Sequence, residues 1–93
     1  MAKPESFYEK VTLSNTGFIL KEFGFESDAV LIIHDGTGNI TFSWTGETGT
    51  VDGELYPDDG FIALDNICQS RVALQSTVNG DVARVFAWRR SKP

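Results

Sequence analysis

Apolar and polar positions alternate most cleanly in two stretches of the chain. Ile40, Phe42 and Trp44 alternate with Thr41, Ser43 and Thr45, and Val82, Arg84, Phe86 and Trp88 alternate with the smaller Ala83, Val85 and Ala87. A period of two sends successive side chains to opposite faces of a strand, so each stretch is expected to bury one face. Residues 30–33 are apolar at every position, which predicts a central strand covered on both sides, one of them by a neighbouring subunit.

Turn signals punctuate the sequence at short intervals: "SNTG", "DGTGN", "TGETG", "PDDG" and "NGD". Between them lie segments rich in β-branched and aromatic residues, which suit a pleated surface. About eight strands are expected, over residues 7–13, 17–21, 29–34, 39–44, 50–55, 61–64, 71–76 and 81–88. The Asp-Gly and Asn-Gly turns supply the φ > 0 residues of tight turns and so predict antiparallel hairpins over residues 29–44 and 71–88. The expected fold is all-β: an antiparallel β-sandwich, jelly-roll-like, over residues 15–88. Residues 1–14 would be an N-terminal arm or first strand, with Pro4 blocking earlier pairing, and residues 89–93 a basic tail.

Length and composition narrow this picture. A chain of 93 residues makes one domain, and 41% hydrophobic residues with seven Phe, two Tyr and two Trp can build a core. One cysteine and one histidine exclude an internal disulfide and a Cys/His zinc cluster. The N-terminus lacks an apolar signal core and the longest apolar run is five residues, so synthesis in the cytoplasm without export or membrane insertion is expected. Net charge is −5, unevenly spread: residues 15–80 hold ten acids against Lys21 and Arg71, whereas Arg84, Arg89, Arg90 and Lys92 close the chain with no acid among them. An acidic body repels nucleic acid, so the basic end is read as a solvated terminus or a contact for an acidic protein surface.

Catalytic chemistry finds little footing. His34 precedes a turn without a G-x-S-x-G elbow or an oxyanion motif nearby, and reads as a strand-end histidine, surface or half-buried. Cys68, beside Ile67, reads as a small core filler. Asp52, Glu54, Asp58, Asp59 and Asp65 gather around a glycine turn but do not follow the D-x-D-x-D-G calcium order, so a solvated acidic loop is expected, with calcium as the alternative. "DGTGN" and "TGETGT" lack the lysine and the following helix of a phosphate loop. In "VFAWRR", stacking on single-stranded nucleic acid competes with Phe86 and Trp88 pointing inward ahead of Arg89 and Arg90. No enzyme activity, cofactor, metal or nucleic-acid partner is expected.

The segments "SDAVLIIHDGTGNITFSWTG", "GELYPDDGFIALDNI", "RVALQS" and "ARVFAW" together resemble small β-sandwich virion proteins of tailed bacteriophages, over residues 27–88, about two thirds of the chain. The resemblance implies a non-enzymatic structural protein of a phage particle, binding the capsid surface as a decoration (cement) protein, or otherwise a neck, tail or baseplate component. It also implies residence in the virion and contact with the major capsid protein or another virion protein. Self-association into a trimer or other ring is independently expected, because burying apolar faces between copies stabilises a small domain. Phe7, Tyr8 and Trp88 are candidate anchors, Arg89 and Arg90 candidate grips, and Glu47 and Thr48 candidate loop-tip contacts; Trp88 alternatively fills the domain's own core. A ligand-binding β-sandwich with Trp44 or Tyr56 as a sugar platform is the competing reading.

Overall fold

The computed structural model describes residues 5–47 and 49–89. Six strands form: β1 (Glu5–Thr12), β2 (Ile19–His34), β3 (Ile40–Ser43), β4 (Gly53–Leu55), β5 (Phe61–Ser76) and β6 (Val82–Arg89), with a 3-10 turn at Pro57–Asp59. All pair antiparallel in one sheet of order β1-β6-β2-β5-β3-β4. The all-β antiparallel class is as expected. There are six strands, not eight, because two pairs of expected strands fuse into β2 and β5, each 16 residues long.

Those two long strands bend the sheet over on itself. Between Glu22 and Ala29 the β2–β5 register slips twice, and Asn66 takes a positive φ of 56° in the facing stretch of β5. A bulge inserts unpaired residues, sharpens the twist and changes which face the next side chain meets. In β2 the buried set changes phase across this stretch, from Phe23, Ser27 and Ala29 to Val30, Ile32 and His34. The second half of β2 and the first half of β5 therefore join β1 and β6 in one layer. The first half of β2 and the second half of β5 join β3 and β4 in the other.

The layers meet where Phe7 of β1 packs on Phe23 of β2, ring centroids 5.1 Å apart, and where Lys21 pairs with Glu9 at 2.7 Å. Val11, Val30, Ile32, Ile40, Phe42, Leu55, Val72, Leu74 and Val85 fill the interior. Both expected hairpins are corrected by this topology: β5 lies between β2 and β3, and β2 lies between β5 and β6. The Asp-Gly and Asn-Gly loops are arches that carry the chain from one layer to the other, so the strands they join cannot pair.

The inward face of β6 is corrected too. Ala83, Val85 and Ala87 are the buried set, and Phe86 and Trp88 point outward. Small side chains fit there because Phe7, Phe23 and Phe25 from other strands already occupy the space between the layers. Cys68 is likewise exposed, not a core filler, since it sits on the outer side of the irregular stretch of β5.

Candidate interaction surface

Among the described residues no element covers the outer face of the first layer. Its cross-strand register sets Tyr8, Phe86, Leu31 and Ala63 in one row across β1, β6, β2 and β5. A second row holds Lys10, Arg84, Ile33 and Phe61, and a third Ser6, Trp88, Ala29 and Asp65. Tyr8 is 54% exposed, Phe61 59% and Trp88 37%. Tyr8 leans on Phe86 with centroids 4.5 Å apart, so the rings form a pre-set ridge. Arg84 reaches sideways to Asp35, Nε to Oδ2 at 2.5 Å, and that carboxylate raises the guanidinium pKa further. Apolar, aromatic and arginine side chains held rigid on strands are the usual material of a protein contact. Leu31 and Ile33 are the outer members of the all-apolar run, and within one chain they stay partly exposed.

The expected contact residues are dispersed by the fold. Tyr8 and Trp88 share this outer face. Phe7 points the opposite way, into the space between the layers. Arg89 pairs with Glu5 across β6 and β1. Glu47 belongs to the β3–β4 connection of the second layer, where its carbonyl accepts from the Thr50 hydroxyl at 2.6 Å, apart from Tyr8 and Trp88. Thr48 and Arg90 lie outside the described residues. Phe86, Leu31 and Phe61 were absent from the sequence-based set, although Phe61 opens its strand as an apolar residue straight after a turn.

A second feature sits at one end of the molecule, where the arches 35–39 and 77–81 meet. Asp81, 7% exposed, accepts from the Thr37 amide at 3.0 Å, the Gly38 amide at 2.8 Å and the Ser76 hydroxyl at 2.7 Å. A Cβ on Gly36 would lie 2.4 Å from the Asp81 carboxylate, and one on Gly38 would lie 2.6 Å from Thr77 Oγ1, so only glycine allows the arches to close. His34 is buried beside them, more so than a strand-end position suggests. Its Nδ1 accepts from the Gly36 amide at 3.0 Å, so Nε2 carries the proton and donates to the Gly38 carbonyl at 2.5 Å.

Ser76, His34 and Asp81 are the residue types of a catalytic triad, but they are not wired as one. The serine donates to the aspartate, and neither imidazole nitrogen is left to take a proton from a hydroxyl. The cluster works as a clasp between the layers.

Burial pulls the Asp81 pKa upward, but the hydrogen bonds from Ser76, Thr37 and Gly38, with the Coulombic pull of His34, outweigh it and hold the pKa below its ordinary 3.8. A carboxyl with a lowered folded pKa binds its proton more weakly when folded than when unfolded. Its stabilisation is therefore present above pH 3.8 and lost as pH falls through the lower folded value. Urea midpoints of wild type and Asp81→Asn are expected to converge as pH falls below 3.8. Parallel curves across that window would refute the clasp's charge dependence.

A polar cleft of about 370 Å³ opens beside the clasp, lined by Asn15, Asn39, Thr41, Gln75, Ser76 and Thr77. Neither Trp44, which stands edge-on to Phe42 at 5.6 Å, nor Tyr56, whose hydroxyl donates to Glu54 at 3.1 Å, lines it. It therefore lacks the aromatic platform on which a sugar ring would stack. Among the described residues no group of three or more His, Cys, Asp or Glu is placed to hold a metal ion. In the acidic loop, Asp59 instead caps the 3-10 turn by accepting from the Tyr56 amide at 2.8 Å. No helix is long and apolar enough to cross a membrane among the described residues. No protein-family model matches this chain, and no curated protein matches it.

Proposed function

We propose that this is a non-enzymatic structural protein of a phage particle, which decorates the capsid surface and stabilises it by contacts between folded domains. The observation that carries the binding role is the outer face of β1, β6, β2 and β5, which no other described element covers and where Tyr8, Phe86, Trp88, Leu31 and Phe61 present apolar surface on a rigid sheet. The assignment to a phage particle rests on the resemblance of residues 27–88 to small virion proteins; a neck, tail or baseplate position uses the same surface. The clasp supports the non-enzymatic part, since its polar atoms are consumed in holding two arches together.

Quantitative mass spectrometry of purified particles tests this reading. The protein is expected at a fixed copy ratio to the major capsid protein. Trp88→Ser, which leaves the interior intact, is expected to lower that ratio by about tenfold, as an interface anchor does when removed. Absence from washed particles would overturn the proposal.

A further inference from the structure

The outer face has a shape that selects its own partner. In the row that carries Tyr8 and Phe86 its β1–β6 side is high, and its β2–β5 side is low, with the partly exposed Leu31 and the exposed Ala63; in the row of Trp88, Ala29 is already buried within the chain. A two-fold axis running along the strands, between β6 and β2, lays the high side of one copy on the low side of another. Tyr8 then covers the second copy's Ala63, Phe86 meets its Leu31, and Trp88 lies against the surface above its β2. In the remaining row Lys10 comes over the ring of Phe61, a cation–π contact.

Charge points the same way. The face holds Lys10 and Arg84 against Asp35 and Asp65, a balance of zero on a chain whose net charge is −5. Two acidic copies approach with least repulsion through a neutral face.

From these observations the geometry points to a second copy of this chain as the occupant of the face, in an isologous pair packed sheet to sheet. The inference rests on the reading of this face as a docking surface and gives it to a second copy, so that on a particle the face joins neighbouring copies to one another and not a copy to the capsid. An isologous contact closes after two copies, so the unit is a pair and not the ring expected from the sequence. Four strands and about seven residues of length give a footprint on the order of 400 Å² per copy. That is about half of a standard interface, so the pair belongs to the weak, transient class. It matters where copies are crowded, as on a particle surface.

The test exploits the distance between Tyr8 and Ala63 within one chain, three strands apart or about 14 Å. Any coupling between them in association is therefore made between chains. Sedimentation equilibrium up to about 1 mM is expected to show a monomer–dimer equilibrium for wild type. Ala63→Tyr should weaken it at least tenfold by setting ridge against ridge. Tyr8→Ala with Ala63→Tyr should restore it, because the high and low sides are exchanged. Circular dichroism verifies that each variant is folded.

A wild type that stays monomeric or forms trimers overturns the inference, as does an Ala63→Tyr dimer of unchanged affinity or a double variant without rescue. A monomer present in particles at fixed ratio would refute the pair while leaving the virion role intact, whereas a dimer absent from particles would do the reverse.

Discussion

Replacing Asp81 by alanine is expected to cost about 3–5 kcal/mol, the largest single-residue loss in the molecule. The carboxylate is the shared acceptor for two backbone amides and a hydroxyl, from Thr37, Gly38 and Ser76. Each buried donor left without a partner costs about 1–3 kcal/mol, and the Ser76 hydroxyl escapes part of this by rotating. A domain of this size has only about 5–14 kcal/mol in total. Urea unfolding followed by tryptophan fluorescence measures the loss, and thermal melting should fall by about 15 °C or more. A loss under about 1 kcal/mol would mean that water replaces the carboxylate and that the clasp is not structural.

The second large effect is expected at Gly53, on the three-residue edge strand β4. A Cβ there would lie 2.4 Å from Cζ and 2.6 Å from Cε1 of Phe42, whose ring is buried and braced edge-on by Trp44. Gly53→Ala must therefore push the ring into a filled interior or release β4 from β3, a cost of about 2–3 kcal/mol by overpacking. Trimming the ring in Phe42→Leu makes room, so the double variant Gly53→Ala/Phe42→Leu should lose less than the sum of its two single changes. Strict additivity would show that the ring and the glycine do not touch.

Both positions show how far the sequence could be read. Period-two alternation marked β3 and β6, and the glycine turns marked nearly every chain reversal. Strand pairing was not legible, because an arch and a hairpin use the same Asp-Gly and Asn-Gly dipeptides; the difference lies in which layer receives the next strand. The bulges within residues 22–29 and near Asn66 read as strand ends, since a slip in alternation looks like a break when the partner strand is unknown. On β6 size misled: the larger residues face out because the phenylalanines of other strands had filled the interior. Of the contact surface, Tyr8 and Trp88 were legible as aromatic residues near the chain ends. Phe86, Leu31 and Phe61 became members only once the register aligned them across four strands. Asp81 looked like a turn residue because its backbone partners, Thr37 and Gly38, are more than forty positions away.

The two 16-residue strands have a consequence for how the molecule opens. Because β2 and β5 each belong to both layers, neither layer has a complete set of strands of its own. Amide hydrogens in Val30 and Val72, buried in opposite layers, should therefore exchange through one shared opening event with one free energy, as members of a single foldon.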